Sequence, residues 1–343
     1  MAFSPLPRSL LESTLPQAVL SQARRRPDAP AVIAQDASLT YRELADRSAA
    51  VASFLDTADT GRGPVPLLLE QGAELVATIL GVLRTGRAYV PLDAAIADPR
   101  LEAVLRDLGA TSVVTSSSRA KRVNQLGAQA IVVPDGATPR PSWNDTEVDA
   151  DGLAYVYFTS GTTGTAKGVV DTHRNVIHNV MRYVNGLEIG PDDRLSLLQS
   201  PWFSGAVSSM FGALLSGACS FPYDIEKHGL TGIGAWLESK EITIFHSVPS
   251  IFRHAVREER ALPNLRLVRL EGDRATPRDL ALFRQRFPSD CTLVNGLGAT
   301  ECGIVRRLFV GANDETWDDE TTVPIGYAVE DMDVQVEDEH GAT

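Results

Sequence analysis

A ten-residue loop near the middle of the chain combines hydroxyl groups, glycines and one lysine. It reads Thr159-Ser160-Gly161-Thr162-Thr163-Gly164-Thr165-Ala166-Lys167-Gly168 and lies between an apolar run ending at Phe158 and the strand-like pair Val169-Val170. Glycines let backbone N–H groups approach a ligand, hydroxyls add hydrogen-bond donors, and lysine adds a positive charge. These groups suit an anion that carries several phosphates.

The loop differs from the common phosphate-binding motif, in which Gly-Lys is followed by Ser or Thr. Here Lys167 stands between Ala166 and Gly168. A flexible turn rich in Ser, Thr and Gly is the alternative interpretation. The loop alone therefore leaves both interpretations open.

Three later segments carry further groups suited to a nucleotide and an acid. They are Pro201-Trp202-Phe203-Ser204-Gly205 through Gly217, Glu271-Gly272-Asp273-Arg274, and Asn295-Gly296-Leu297-Gly298-Ala299-Thr300-Glu301. For the second segment the alternative is an ordinary turn from a strand to a helix. For the third it is a helix that begins with Thr300 as its N-cap.

Taken in order, the four segments resemble the motifs of the adenylate-forming superfamily, which contains acyl-CoA synthetases, luciferases and the adenylation domains of nonribosomal peptide synthetases. The stretch Phe211–Gly217 is most similar to the peptide synthetase pattern. The resemblance covers nearly the whole chain. It implies a ligase that converts a carboxylate and ATP to an acyl-adenylate and pyrophosphate, then passes the acyl group to the phosphopantetheine thiol of a carrier protein or to coenzyme A.

The resemblance also implies roles for individual residues. Lys167 and the neighbouring hydroxyls would hold the β- and γ-phosphates, Thr300 would contact the α-phosphate, and Glu301 would help to hold Mg²⁺, a cation that prefers oxygen ligands. Lys167, Thr300 and Glu301 are thus the implied catalytic residues. The implied nucleotide site comprises Thr159, Ser160, Gly161, Thr162, Thr163, Gly164, Lys167, Gly272, Asp273, Asn295, Leu297, Gly298, Thr300 and Glu301.

The implied pocket for the acid comprises Phe203, Ser204, Gly205, Ser208, His246, Arg269, Glu271, Gly296, Ile304 and Val305. Family members that activate α-amino acids carry Asp where Ser204 stands, and a hydroxyl cannot bind an ammonium group as strongly. The substrate is therefore expected not to be an ordinary α-amino acid. Arg269 and Glu271, two apart on a strand, share a face. They either line a pocket for a polar acid or pair with each other, and His246 is either a pocket residue or an ordinary core histidine.

Several positions depart from the family pattern. Ala166 replaces a usual Pro, Leu297 replaces a usual aromatic residue, and Glu271 replaces a glycine. These changes leave open an alternative function, a non-catalytic nucleotide-binding or scaffold module, beside the leading hypothesis of a ligase. The family's ribose-binding Asp and its mobile C-terminal lobe, with a further lysine, have no counterpart in the sequence. The chain is therefore expected to be the large N-terminal part of an adenylation domain, weakly active by itself.

Composition narrows the class of protein. The chain has 343 residues, 43% of them hydrophobic, and a formal net charge of −12. Eleven acidic residues between Asp314 and Glu339 account for nearly all of the excess, so the remainder is close to neutral. This near-neutral balance argues against nucleic-acid binding, which needs an excess of clustered Lys and Arg. No apolar run approaches the roughly 20 residues that span a bilayer. Three scattered cysteines and no signal-peptide pattern indicate a cytoplasmic protein with no membrane partner.

Alternating helical and strand patterns predict an α/β fold, with parallel-rich sheets flanked by helices. Predicted helices include Tyr41–Leu55, Ala73–Thr85, Arg174–Val184, Ala206–Leu215, Ile233–Glu238, Ile251–Glu258 and Pro277–Phe287. Predicted strands include Pro66–Leu69, Leu195–Leu198, Ile242–His246, Leu265–Leu270 and Thr292–Asn295, and residues before Ser13 are predicted to be loop.

Residues 1–321 are expected to form the large lobe. Residues 322–343 are expected to begin a small β-rich subdomain, with short strands at Thr322–Gly326 and Met332–Val336.

Overall fold

A computed structural model describes residues 3–58, 60–135, 137–139, 144–160, 166–258, 260–311, 314 and 322–338. It is a mixed α/β structure in which helices flank sheets that are largely parallel, as predicted. Within these ranges no helix has the length and apolar character needed to cross a membrane. Two compact units divide the chain: the first comprises residues 1–193 and 197–228, and the second comprises residues 194–196 and 229–343.

A 3₁₀ helix at Arg8–Glu12 precedes the first α-helix. The α-helices are α1 (Leu15–Arg25), α2 (Tyr41–Thr57), α3 (Ala73–Arg84), α4 (Asp98–Leu108), α5 (Ser117–Gln125), α6 (His173–Gly186), α7 (Gly205–Ser216), α8 (Ile225–His228), α9 (Ile233–Ser239), α10 (Pro249–Ala255) and α11 (Pro277–Arg286). The strands are β1 (Pro30–Ile33), β2 (Ser38–Thr40), β3 (Val65–Leu68), β4 (Tyr89–Pro91), β5 (Ser112–Thr115), β6 (Gln129–Ile131), β7 (Leu153–Ser160), β8 (Ala166–Thr172), β9 (Arg194–Leu197), β10 (Cys219–Pro222), β11 (Ile244–Ser247), β12 (Leu267–Leu270), β13 (Thr292–Ala299), β14 (Gly303–Val310) and β15 (Tyr327–Ala328).

A six-stranded sheet forms the centre of the first unit, in the order β6-β5-β3-β4-β7-β8. Adjacent strands within this sheet are parallel, except that β7 and β8 pair antiparallel. Parallel strands need crossover connections, and α3, α4 and α5 lie between successive strands of this sheet. One apolar cluster packs on the sheet and includes Leu68, Val90, Leu101, Val104 and Val113. In the same unit β1 pairs with β10 in parallel and with β2 antiparallel.

The strands of the second unit are arranged in the order β15-β14-β13-β12-β11-β9. Of β9, residues Arg194–Ser196 belong to this unit. Strands β9, β11, β12 and β13 are parallel, so their carboxyl ends lie at one edge. Strands β14 and β15 then continue the sheet antiparallel. In open parallel sheets the carboxyl edge is where ligands bind. The residues that follow β11, β12 and β13 are therefore the ones placed for a site.

Capping boxes begin three of the helices. In α1 and α2 the threonine at the N-cap accepts a hydrogen bond from the backbone N–H three residues on, and the side chain of that third residue accepts from the N-cap N–H. In α11 the Asp279 carboxylate accepts from both the backbone N–H and the hydroxyl of Thr276. The pairs are Thr14 with Gln17, Thr40 with Glu43, and Thr276 with Asp279. The Thr40–Glu43 pair is the signal that predicts α2 in the sequence, and the helix begins at Tyr41 as expected.

Several predicted elements differ from the structure. The N-terminal loop contains the Arg8–Glu12 helix, and α1, α4, α5 and β14 were not predicted. The predicted strand at residues 292–295 is longer, because β13 continues through Gly296, Leu297 and Gly298 to Ala299 where it pairs with β14. A helix that begins at Thr300 is therefore wrong, since Thr300 lies in the turn that follows β13.

The strand predictions after residue 321 were also wrong in position. Within residues 322–338 the strand is Tyr327–Ala328, and neither 322–326 nor 332–336 is a strand. The backbone N–H of Val323 donates to the carbonyl of Ala275, and that of Val329 donates to the carbonyl of Val305. These bonds attach the segment to the rest of its own unit. The predicted domain boundary at 321/322 stays a prediction.

Candidate functional site

A β-hairpin frames the Ser/Thr/Gly loop in the first unit. Strands β7 and β8 pair in register, with Phe158 opposite Gly168 and Thr159 opposite Lys167. Lys167 is exposed and Thr159 is partly buried. The predicted ligand residues Gly161, Thr162, Thr163 and Gly164 lie outside the described residues, as does the side chain of Ser160. The pairing therefore fixes the two ends of the loop.

Aromatic residues anchor this hairpin. The rings of Tyr89, Tyr155 and Tyr157 contact one another edge to face, with centroid separations of 4.7 to 6.2 Å. Burial is the main cause that raises the pKa of each phenol, so all three stay neutral. The hydroxyl of Tyr157 donates a 3.0 Å hydrogen bond to the carbonyl of Pro201, which is also in the first unit. The strand that leads into the loop is thus tied to the segment that precedes α7.

The first turn of α7 and the two residues before it carry four of the predicted pocket residues, Phe203, Ser204, Gly205 and Ser208. Ser204 is the N-cap of α7, and its carbonyl accepts from the backbone N–H of Val207. Phe203 is 64% exposed, whereas Ser208 is buried and its Oγ accepts a hydrogen bond from the Asn179 amide at 3.3 Å. A Cβ at Gly205 would meet nothing closer than 3.8 Å. A small side chain could therefore be added at Gly205 without a clash, although Ala206, Val207 and Ser208 are buried.

The β13–β14 hairpin in the second unit holds most of the other predicted nucleotide residues. Leu297 is exposed, and Thr300 and Glu301 lie in the turn, with Glu301 exposed. Asn295 is buried and its amide donates to the carbonyls of Val323 and Pro324, at 3.1 and 2.9 Å. The amide hydrogens of Asn295 are thus used within the protein. In the turn, Glu301 is exposed to solvent and Thr300 is partly buried.

The turn that contains the predicted nucleotide-site residues Gly272 and Asp273 follows β12. Gly272 has a φ of +88°, a conformation that glycine adopts at little cost, and Asp273 is exposed. The carboxylate of Asp273 accepts from the backbone N–H of Arg274 at 2.7 Å. The alternative interpretation, a turn from a strand to a helix, also agrees with the structure. Strand β12 ends at Leu270, and α11 begins four residues after Asp273.

His246, Arg269 and Glu271 form one buried polar cluster in the second unit. His246 on β11 lies opposite Arg269 on β12, and Glu271 follows the end of β12. The Glu271 carboxylate accepts a hydrogen bond from the Arg269 guanidinium, and its Oε2 lies 3.4 Å from His246 Nε2. Arg269 is 1% exposed and His246 is 3% exposed. The structure thus brings together these three predicted residues, and Arg269 and Glu271 pair with each other.

The charges of this cluster are set by opposing effects. Burial opposes ionisation of Glu271, but the charge of Arg269 and the hydrogen bonds outweigh burial and lower the pKa of Glu271 to about 2. Burial, together with the charge of Arg269, lowers the pKa of His246 to about 4. At neutral pH the cluster therefore holds a carboxylate, a guanidinium and a neutral imidazole.

Two glycines of β13 lie beside the cluster. A Cβ at Gly296 would lie 3.6 Å from Nε of Arg269, while a Cβ at Gly298 would lie 2.5 Å from Oε1 of Glu271 and 2.7 Å from the carbonyl of Gly303. On β14, Ile304 is opposite Gly298 and is buried, and Val305 is partly buried. Sequence reasoning missed the packing role of Gly298, which the tertiary contact alone reveals.

No group of three or more His, Cys, Asp or Glu residues that would hold a metal ion by itself occurs among the described residues. Mg²⁺, however, is commonly bound by one or two carboxylates together with substrate phosphates and water. An exposed carboxylate such as Glu301 fits that arrangement.

A protein-family comparison decides the class of protein. The model of the family described as AMP-binding enzyme matches residues 19–343. The chain belongs to this family. The AMP-binding enzymes with which it shares sequence include nonribosomal peptide synthetases, as the motifs predict.

Two curated relatives illustrate the likeness. The chain is 29% identical to gramicidin S synthase 2 of Brevibacillus brevis over 94% of this chain and 7% of that protein. It is 31% identical to the hybrid PKS-NRPS synthetase TAS1 of Pyricularia oryzae over 96% of this chain and 19% of that protein. The chain thus spans less than a fifth of the length of either relative.

Solved structures show the same fold. The nonribosomal peptide synthetase FmoA3, in a form bound to α-methyl-L-serine-AMP, is 28% identical with a TM-score of 0.83, over 96% of this chain and 37% of that one. The N-terminal subdomain of Klebsiella oxytoca NpsA, in complex with 3-hydroxyanthranilyl-AMSN, is 24% identical with a TM-score of 0.81, over 96% of this chain and 83% of that one. At this identity the NpsA likeness concerns the fold alone.

Proposed function

We propose that this AMP-binding enzyme activates a carboxylic acid with ATP, forming an acyl-adenylate and releasing pyrophosphate. The carboxylate oxygen bonds to the α-phosphorus of ATP while the bond from that phosphorus to the pyrophosphate oxygen breaks. Such a reaction needs positioning and charge stabilisation rather than a covalent group of the protein. Family membership over residues 19–343 is the observation that carries the proposal.

Lys167 and Glu301 have different tasks in this proposal. Lys167 is exposed at the end of the β7–β8 loop, where its ammonium would bind the β- and γ-phosphates with the loop hydroxyls. Thr300 would donate to the α-phosphate. Glu301 would contribute one carboxylate to Mg²⁺, which neutralises phosphate charge when bound. A form of FmoA3 bound to AMPPNP, 28% identical with a TM-score of 0.80, supports nucleotide binding by this fold.

The substrate in this proposal is an acid that lacks an ordinary α-amino group. Ser204, at the start of α7, offers a hydroxyl where an ammonium-binding carboxylate would be needed. The cluster of His246, Arg269 and Glu271 offers a neutral imidazole and a charged pair, which suit hydrogen-bonding groups on the acid. Ser247, next to His246, has a buried Oγ without a hydrogen-bond partner among the described residues. These groups favour a polar acid over a long acyl chain.

The nucleotide binding that activation requires is tested with Lys167→Ala, and Lys121→Ala is the matched control. Lys121 is an exposed lysine of α5, away from the proposed site. Calorimetry with ATP and Mg²⁺ should show binding to the wild type and to Lys121→Ala, and binding at least about tenfold weaker to Lys167→Ala. Equal binding by all three proteins, or binding by none, would favour a scaffold function.

The substrate class is tested with acyl-sulfamoyl-adenosine analogues, which mimic the adenylate. Thermal stabilisation should be larger for analogues of hydroxy, keto or aromatic acids than for analogues of α-amino acids. Ser204→Asp should shift the preference toward α-amino acids, because a carboxylate can then bind the ammonium. An unchanged order of stabilisation in Ser204→Asp would contradict the proposed substrate class while leaving ATP binding intact.

The acceptor in this proposal is the phosphopantetheine thiol of a carrier protein, supported by the peptide synthetases among the relatives. The alternative acceptor is coenzyme A. Incubation of the chain with ATP, the preferred acid and either thiol separates them. Acyl transfer to coenzyme A alone would overturn the carrier-protein assignment.

A further inference from the structure

A basic groove lies between α10 and α11 in the second unit, on residues that the proposed activation reaction does not use. The groove has a volume of about 420 Å³ and is lined by Ser250, Arg253, His254, Val256, Arg257, Arg278, Leu282 and Arg286. We call this set the arginine groove. Four arginines and a histidine thus surround a space of the size that holds a small ligand.

Helical spacing explains why these cations converge. On the first helix and just beyond it, Ser250, Arg253, His254 and Arg257 follow the i, i+3, i+4, i+7 pattern of one helix face. On α11, Arg278, Leu282 and Arg286 follow the i, i+4, i+8 pattern. Two basic stripes on neighbouring helices therefore line the same space.

An ion pair between the partly exposed Arg253 and the buried Asp279 joins the two helices beside the groove. The guanidinium of Arg253 donates to both carboxylate oxygens of Asp279, at 2.6 and 2.7 Å. Asp279 is fully buried and also caps α11 through the backbone N–H and hydroxyl of Thr276. Since a bidentate arginine–carboxylate pair is directional, it holds the two helices in one arrangement. The charge of Arg253 is largely neutralised by this contact, and Asp273 adds a further negative charge near it.

The outer cations of the groove are not neutralised in this way. Arg257 and Arg278 are exposed, and neither guanidinium has an ion-pair or hydrogen-bond partner in the part of the chain that the structure describes. Like charges that share a concave surface repel one another and create a local positive potential. The whole chain carries a formal net charge of −12, so the positive charge of this patch is opposite in sign to that of the chain as a whole.

We propose that the arginine groove binds a multivalent phosphate anion. Arginine guanidinium groups match phosphate oxygens in pairs, and two unneutralised arginines on opposite sides of a groove favour an anion that carries more than one phosphoryl group. Val256 and Leu282 add apolar surface, which suits an organic phosphate as well as an inorganic one. An extended polynucleotide would need a longer basic surface than this groove presents.

Calorimetric titration with inorganic tripolyphosphate in the presence of EDTA tests the proposal. The titrations are made in a Lys167→Ala background, which weakens the proposed nucleotide site, so that the groove accounts for most of the binding that is measured. In that background Arg257→Ala/Arg278→Ala should weaken binding at least about tenfold. The control is Arg100→Ala, an exposed arginine of α4 in the first unit. It should leave the affinity unchanged.

A charge-conserving variant and a second titrant separate recognition from simple charge. Arg257→Lys/Arg278→Lys should retain part of the affinity, because the charges stay but the paired donors are lost. A nucleoside triphosphate that binds the groove more tightly than tripolyphosphate would identify an organic phosphate as the ligand, and equal affinity would identify the phosphate chain alone. Equal loss in Arg100→Ala, no loss in the double alanine variant, or binding of a 20-nucleotide DNA in preference to tripolyphosphate would overturn the proposal. Unchanged circular dichroism and melting temperature confirm that each variant is folded.

Discussion

At the scale of single residues, Glu271 is subject to two opposing effects. Burial disfavours its ionised form, and the positive charge of Arg269 favours it. Its carboxylate compensates Arg269, which is 1% exposed. We predict that Glu271→Gln lowers the free energy of unfolding by about 3 kcal/mol, because a buried guanidinium then lacks its counter-charge. Urea denaturation at pH 7 measures the change. Glu238→Gln is the control, since its partner Arg260 is at the surface, and it should change stability by less than about 1 kcal/mol. Equal effects of the two changes would contradict the prediction.

Gly298 tests the packing of the same cluster without altering its charge. A methyl group there would lie 2.5 Å from Glu271 Oε1 and 2.7 Å from a backbone carbonyl. The side chain can move, but the backbone of Gly303 cannot move without disturbing the hairpin. Gly298→Ala should therefore cost about 1–3 kcal/mol of unfolding free energy. Gly190→Ala, where a Cβ meets no atom within 4 Å, should be nearly neutral in the same denaturation experiment. A neutral Gly298→Ala would show that the hairpin adjusts freely.

The residues of the site differ in how well the sequence predicts them. Spacing alone places Arg269 and Glu271 on one face, and the structure confirms that they meet. Whether they pair or line a pocket depends on the distance between their side chains, which spacing does not give. The sequence likewise does not reveal that the Asn295 amide donates to the carbonyls of Val323 and Pro324. Those carbonyls lie 28 and 29 residues away along the chain.

At the scale of elements, the contact between β7 and the segment before α7 links the two parts of the first unit that the proposal uses. The Tyr157 hydroxyl donates to the Pro201 carbonyl, two residues before Phe203. Tyr157→Phe should cost about 1 kcal/mol of unfolding free energy. It should also speed amide exchange at Phe203, Ala206 and Val207, whose N–H groups bond within that segment.

Tyr155→Phe is the matched control for this prediction. It removes a hydrogen bond of similar length, 2.8 Å, from the same aromatic cluster, but its acceptor is Asp171 on β8. Tyr155→Phe should lose at least as much stability, because its acceptor is a carboxylate, while only Tyr157→Phe should loosen the start of α7. Hydrogen exchange followed by mass spectrometry separates these outcomes. Equal exchange at the start of α7 in both variants would show that the Pro201 contact does not position the segment.

Elements with local signals were predictable and those that depend on distant partners were not. The capping box at Thr40 and Glu43 predicted the start of α2 because its hydrogen bonds lie within one turn. Strand β14 contains Arg306 and Arg307, which interrupt the apolar pattern. It forms because it pairs along its length with β13, and the same pairing extends β13 past Asn295. Pairing between segments is a tertiary contact that overrides local propensity.

At the scale of the whole molecule, both units contain a buried neutral histidine, His173 in the first and His246 in the second. His173 in the first unit is 1% exposed, and its Nδ1 accepts a 3.3 Å hydrogen bond from the backbone N–H of Leu15. Burial lowers the pKa of His173 to about 4, although Asp149 opposes the shift. His246 in the second unit also has its pKa lowered to about 4. Protonation of either imidazole in the folded protein would place a charge where solvent does not reach.

These two histidines make stability depend on pH. In the unfolded chain each imidazole takes a proton near its ordinary pKa of 6.5, whereas in the folded protein it does so only near pH 4. The unfolded state therefore binds more protons over this interval, so unfolding becomes easier as the pH falls from 6.5 to 4. Each histidine should contribute up to about 3 kcal/mol to this loss. Urea denaturation at pH 7 and pH 4.5 measures it. His173→Gln keeps an acceptor for Leu15 but cannot titrate, so its stability should fall by a clearly smaller amount between these pH values. An equal fall in the variant and the wild type would exclude His173 as a source of the pH dependence.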